Sequence, residues 1–295
     1  MLSSNDFGAL YYRCNICGKG FKSKAAELSR EVASCMNCGS SVRMRSIMHV
    51  LSMELFGKSL SLSQFPVRPD IAGLGLSDWE GYAIPLSKKL NYKNTFYHQE
   101  PRMDITSTDP QYEGTVDFLI ASDVFEHIPP PVSVAFQNAY KLLKPNGVLI
   151  FTVHYEPSGA TVEHFPDLYD YEIIKSGDHC LLKNITIRGN QQVFRDLIFH
   201  GGPGSTLEMK LFSEPSLLEE FTKAGFRRIK THSDAYFEFG IYWDITWAVP
   251  ISARKLISEA KLESLSLPKE TNNISFRIDG FLKARTCLKW RGGDT

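Results

Sequence analysis

The sequence predicts an α/β protein: a doubly wound parallel sheet preceded by a small cysteine-bearing module. Three observations carry this. Continuously apolar runs of strand length, such as residues 116–121 and 148–153, alternate with helix-period segments, the signature of a parallel sheet covered on both faces. A length of 295 residues holds one α/β domain with a sizeable core plus one accessory module. Four of the six cysteines fall between residues 14 and 38, which sets that module apart.

The elements follow in order. Apolar residues recur through 41–56 and stop at Gly57, predicting an amphipathic helix with a glycine cap. Residues 1–58 are expected to form the module and its helix, and the Ser- and Pro-containing stretch 59–69 a linker. Residues 71–76 predict a first strand. Residues 82–90 predict a helix that must place Pro85 in its first turn or kink, and 94–98 a second strand. A buried strand at 116–121, a helix at 132–143 and a buried strand at 148–153 complete the central units. Residues 156–210 break the alternation and are expected to be an insertion, with strand-like pieces at 181–187 and 193–199. Ser213 then opens a helix that ends at Gly225, followed by strands at 226–231 and 241–249. The main domain is thus expected over 70–250 and a C-terminal tail over 251–295.

Lys+Arg and Asp+Glu are both 33, so the formal charge is zero, which excludes a protein whose whole surface coats a polyanion. Residues 1–58, however, carry eight basic and four acidic side chains. These basic residues, Arg43 and Arg45 just after the second knuckle among them, would meet nucleic acid or an anionic substrate, unless they are simply solvated surface charge. The longest apolar runs are far shorter than a membrane span, and the N-terminus lacks a signal-peptide core, so a cytoplasmic protein is expected. In a reducing compartment, clustered cysteines indicate metal rather than disulfides.

Cys14-x2-Cys17 and Cys35-x2-Cys38, separated by 17 residues, are two knuckles that place four thiolates around Zn2+, each followed by a glycine that turns the backbone. A closed site with four cysteine ligands leaves no position for catalysis, so the zinc is read as structural. Gly73-Leu-Gly75-Leu-Ser77-Asp78 follows the first strand and precedes a helix, where closely spaced glycines let a ligand approach the backbone. His98-Gln-Glu100 is expected near the end of the second strand, a place from which a carboxylate can hold ribose hydroxyls; Asp104-Ile105 follows.

The run Asp117 to His127 (DFLIASDVFEH) and, after its helix, Leu-Lys-Pro-Asn-Gly147 resemble the class I S-adenosylmethionine-dependent methyltransferases of the type 11-like kind. With the N-terminal zinc ribbon, the layout resembles a bacterial subgroup of them. The resemblance implies a Rossmann-like methyltransferase sheet, S-adenosylmethionine as cofactor, and methyl transfer to an O or N nucleophile of a small molecule or glycan precursor. It would place Gly73, Gly75 and Asp78 along the methionine part of the cofactor and Glu100 at the ribose. Asp104 and Ile105 would lie at the adenine edge and Asp123 near the sulfonium, with His127 as a base. Ser77 stands where the family's third glycine is common, and Glu100 lies 25 residues beyond Gly75. The alternative is a protein whose zinc ribbon binds nucleic acid or a protein partner, attached to a degenerate, non-catalytic methyltransferase fold.

Two features of the insertion remain. His200-Gly-Gly-Pro-Gly204 resembles a hydrolase oxyanion loop, but no G-x-S-x-G accompanies it, so it is read as a loop shaping the acceptor pocket. His154, His164 and His179, with Asp167 or Asp178, are candidates for a second metal site.

Overall fold

The computed structural model describes residues 9–176, 179–200 and 206–256. Strands β1 (Leu10–Arg13) and β2 (Gly20–Ser23) form a hairpin whose turn holds Cys14 and Cys17. Helix α1 (Val42–Phe56) starts where Ser41 Oγ accepts the Met44 N–H, and it stops at Gly57, whose φ of +68° suits glycine.

The chain then lays down β3 (Arg68–Leu76), α2 (Glu80–Ser87), β4 (Leu90–Thr95), β5 (Val116–Ser122), α3 (Ser133–Leu142) and β6 (Leu143–Thr152). Through the insertion, β7 (Asp170–Ser176), β8 (His179–Ile185) and β9 (Gln191–Phe194) make a separate antiparallel sheet. Strand β10 (Lys210–Ser213) leads into α4 (Glu214–Ala224), capped by the Ser213 hydroxyl at one end and Gly225 at the other. Strands β11 (Arg227–Thr231) and β12 (Ile251–Arg254) close the main sheet.

That sheet has the order β11-β12-β6-β5-β3-β4, with β12 antiparallel to both neighbours and the other pairs parallel. The chain passes from β3 outward to β4 and returns to add β5 on the other side of β3. Between β3 and β5 the winding reverses, and ligands of doubly wound folds bind outside the carboxyl ends of such strands.

Side-chain alternation assigns the two faces. Phe118, Ile120, Val148 and Ile150 enter one core cluster, while Leu119, Ala121, Leu149 and Phe151 enter the other. The second cluster is covered by α3 and α4 through residues such as Phe136 and Phe221. The first contains Ile47, Met48, Val50 and Leu51 of α1, all fully buried, together with Cys14 and Cys35. At about 1.5–3 kcal/mol per buried large aliphatic side chain, α1 is a layer of the main domain rather than part of a detached module. The described residues belong to one compact unit.

Several boundaries differ from the sequence expectation, each for a packing reason. The 59–69 segment is no loose linker, because Leu62 and Phe65 are buried in the same cluster as α1. Pro85 lies inside α2 rather than in its first turn. The second strand is Leu90–Thr95, four residues earlier at its start than expected, since pairing with β3 fixes its register. Residues 241–249 form no strand; Ile241, Trp243 and Val249 instead pack against Tyr12, Leu28 and Val42 of the module. The closing strand is Ile251–Arg254, so the sheet continues past residue 250, and its Arg254 pairs with Glu54 of α1. The remainder of the expected tail, from 257, lies outside the described residues.

Candidate functional site

The carboxyl edge of β5 begins with Asp123, whose φ of +52° turns the chain sharply into the single helical turn Phe125–His127. Two arginines from the cysteine module reach this carboxylate. Arg30 donates to Oδ1 at 2.8 Å and Oδ2 at 3.1 Å, and Arg43 Nε lies 3.1 Å from Oδ2. Burial works to raise the Asp123 pKa, but the charge of Arg30 and then of Arg43 prevails and holds it at about 2.

Glu126 follows, 2% exposed, with neither carboxyl oxygen hydrogen-bonded. Burial, and next the charge of Asp123, push its pKa well above the carboxylate range. Beside it, His127 Nδ1 lies 2.9 Å from the Leu207 carbonyl oxygen. A carbonyl only accepts, so Nδ1 carries the proton and Nε2 keeps its lone pair, 3.8 Å from Glu126 Oε1. Burial lowers the pKa of this imidazole. His200 meets the His127 ring edge-on at 4.8 Å between centroids. Glu208 accepts from both His164 Nε2 and His200 Nε2 at 2.9 Å. The Met209 N–H donates to the Glu126 carbonyl at 2.8 Å, bracing the helical turn against the segment before β10.

The glycine edge of β3 is filled by the protein itself. A Cβ on Gly73 would fall 2.1 Å from the Phe118 ring, and one on Gly75 would fall 1.9 Å from the Tyr92 hydroxyl and 2.2 Å from Asp78 Oδ2. These glycines make room for side chains of the core, whereas the sequence suggested that they admit a ligand. Asp78 is fully enclosed and accepts from Tyr82 Oη at 2.7 Å and from Tyr92 Oη. Burial raises its pKa to about 7 despite those bonds. Ser77 stands in the third glycine's place and adopts φ +56°, the left-handed conformation a glycine takes most easily.

The four cysteines come together in the module, their Sγ atoms within 4.8 Å of one another. Three of the pairs stand at 3.4 Å (Cys35–Cys38), 3.6 Å (Cys17–Cys35) and 3.7 Å (Cys14–Cys38). A tetrahedron with Zn–S bonds of about 2.3 Å has edges of about 3.8 Å, so the thiols fit Zn2+. Gly18 and Gly39 turn the knuckles at φ +77° and +75°. Burial tends to raise the Cys35 pKa, but the amides of Cys38 and Asn37 more than offset it and bring it to about 7. Arg45, fully buried, donates to the Ser40 carbonyl at 2.8 Å beneath the cluster, and its charge favours the thiolates of Cys14, Cys35 and Cys38. Arg45 is therefore an internal group, and Arg43 is largely engaged by Glu31 and Asp123 rather than free in solvent.

The sequence matches the family described as "Methyltransferase domain" over residues 17–231. The chain belongs to this methyltransferase family. The match begins inside the first cysteine knuckle, in keeping with a module that is part of the domain. No curated protein matches the sequence significantly. Among solved structures, the 1,6-didemethyltoxoflavin-N1-methyltransferase of Burkholderia thailandensis is similar, at 14% identity over 73% of this chain and 79% of that one, with a TM-score of 0.39. An amino pentose methyltransferase from Micromonospora echinaspora matches at 13% identity over 74% and 92%, with a TM-score of 0.39. A sugar N-methyltransferase from Streptoalloteichus matches at 10% identity over 73% and 87%, with a TM-score of 0.41. At these scores the family match carries the assignment.

S-adenosylmethionine, the methyl donor of class I methyltransferases, would sit at this carboxyl edge. The frame suits it: a strand, a turn through left-handed Ser77, then α2. Most side chains mapped onto it in the methyltransferase are already engaged elsewhere. Asp104 accepts from Thr106 N at 2.8 Å, Ile105 lies in the core, and Asp123 is held by the two arginines. Glu100 is exposed, five residues beyond the end of β4. Among the described residues, Glu126 is a group at this edge with both carboxyl oxygens without a hydrogen-bond partner.

Arg30 and Glu208 were not legible as site residues, and Arg43 was singled out only as a contact for an outside partner, because all three reach the edge through tertiary packing. His164 was singled out for its chemistry, but its partner is Glu208 rather than Asp167, and Asp178 lies outside the described residues.

Proposed function

We propose that this methyltransferase moves a methyl group from S-adenosylmethionine to an O or N nucleophile of a small molecule or glycan precursor, in the cytoplasm. The observation that carries the reading is the constellation at the end of β5. There Glu126 has two unpartnered oxygens, and His127 is held by Leu207 with the Nε2 lone pair turned toward Glu126. The cofactor brings an already activated sulfonium methyl group, so the chain's task is to align a nucleophile, exclude water and accept a proton. His127 Nε2 is the accepting atom in this reading, and Asp78, Asp123 and the Ser77 turn shape the cofactor side. His200, adjacent to His127, brings the insertion to the acceptor side.

Calorimetry of the full chain with S-adenosylhomocysteine tests the donor half: binding is expected, and its absence from folded protein overturns the reading. A methyl-transfer assay over a metabolite library tests the acceptor half, with products on hydroxyls or amines expected. Transfer to carbon or to nucleic acid would refute that half. Of the module's basic groups, Arg45 is buried and Arg43 is paired with Asp123 and Glu31, so these two do not favour the nucleic-acid alternative.

A further inference from the structure

We propose that Glu126, His127 and His200 form a second metal site, for a divalent transition ion, distinct from the four-cysteine zinc site. The three side chains each offer one ligand atom, and these atoms lie within 4.8 Å of one another. Around a bound ion with ligands at about 2.0–2.2 Å, such atoms stand roughly 3.0–3.5 Å apart, so side-chain shifts of about an ångström complete the shell. No assigned role at this edge accounts for the state of Glu126, a carboxyl 2% exposed with both oxygens lacking any hydrogen-bond partner. Unpaired burial of that kind is costly unless a cation supplies the missing interactions.

The shell beyond the ligands has the form metal sites require. A ligating histidine is oriented by an acceptor on its outer ring nitrogen, which fixes the tautomer and strengthens the inner one. His127 has the Leu207 carbonyl at 2.9 Å from Nδ1, and His200 has Glu208 at 2.9 Å from Nε2. Glu208 is itself held by His164 at 2.9 Å. Two imidazoles and one carboxylate on one side of an ion leave its other positions open. That donor set selects Zn2+, Fe2+, Mn2+ or Co2+ over Mg2+ and Ca2+, which prefer all-oxygen shells.

The site lies where the acceptor is placed above, so a bound ion would hold an acceptor oxygen and acidify its proton, with His127 Nε2 then a ligand rather than the proton acceptor. The assignment of the site does not depend on methyl transfer, because its readout is the metal itself. Full-length protein with its cysteine site filled by Zn2+ is titrated with Co2+ and Mn2+. The expected result is one further ion per chain, with a Co2+ spectrum free of thiolate charge transfer and Mn2+ resonance lost from the free pool. Glu126→Gln and His200→Ala should each weaken this binding at least tenfold while leaving the cysteine-bound zinc and the circular dichroism unchanged. His200 is 41% exposed at its side chain, so its removal leaves the fold intact. Saturation at the cysteine equivalent alone, or further binding indifferent to both substitutions, would overturn the proposal. So would loss of the cysteine-bound zinc in both variants alongside the second ion.

Discussion

The cysteine knuckles and the glycine edge of β3 are both short motifs, yet they behave oppositely in the fold. In the knuckles, four cysteines separated by a few residues in two pairs converge as their spacing dictates, with all Sγ atoms within 4.8 Å of one another. At the glycine edge, what occupies the space beside Gly73 and Gly75 comes from elsewhere: Phe118 on β5 and Tyr92 on β4. A motif whose partners are local keeps its meaning through folding. One whose partners are distant takes its meaning from whichever side chains the sheet brings against it.

The largest test of this contrast loads the four cysteines with Zn2+ and then strips it with a chelator. If the knuckle were an independent appendage, chelation would leave the main domain's melting unchanged. Because α1, Arg30 and Arg43 tie the module to the sheet, one cooperative transition is expected instead, falling by about 10 °C or more in a thermal melt, since structural zinc supplies folding energy.

Next in size is Asp123→Ala, which leaves the guanidinium groups of Arg30 and Arg43 without their shared carboxylate. A loss of about 3–5 kcal/mol is expected by denaturant titration at neutral pH. The depressed pKa of Asp123 also predicts a window. Its contribution is complete above the unfolded carboxylate pKa of roughly 4 and fades as pH falls toward about 2. Asp123→Asn should remove that part of the acid slope.

Gly75→Ala separates packing from ligand access. Overpacking against Tyr92 and Asp78 should cost about 1–3 kcal/mol, and Tyr92→Phe in the same chain should recover part of it. Unchanged stability with lost S-adenosylhomocysteine binding would return the glycine to the cofactor.

The smallest effect is a gain. Asp78 is raised to about 7, so between roughly pH 4 and 7 the folded state holds a proton that the unfolded state has released, and stability falls as pH rises. Asp78→Asn should flatten this slope and stabilise the protein at pH 8 by about 1–2 kcal/mol, net of weakened bonds from Tyr82 and Tyr92. An unchanged slope between roughly pH 4 and 7 in the variant would show that the carboxylate is ionised in the fold throughout that range.

What the sequence could say by itself was local. Apolar periods placed α1, α3, α4 and β5 with small boundary shifts, because one face or both faces of each are buried in the way the period requires. Strand β6, by contrast, starts at Leu143 rather than 148, the run 144–147 expected to be a turn being taken up in the strand. Gly57, Ser213 and Gly225 marked helix ends because caps are made within one turn. The order of units foretold a doubly wound sheet, and the Glu126-His127 turn with the Leu-Lys-Pro-Asn-Gly147 segment pointed to the methyltransferases. The start of β4 and the strand expected at 241–249 were misread, since register and burial there depend on β3 and on the cysteine module.

Tertiary structure alone decided which charged groups share the carboxyl edge. Arg30 reaches Asp123 across 93 residues of chain, and His127 meets the Leu207 carbonyl across 80. No spacing rule spans such separations, because loop lengths and the packing of α1 on the sheet set them. The sequence named the four converging cysteines and the fold; only folding turned three of the module's arginines inward and gathered a carboxylate and two histidines around one point.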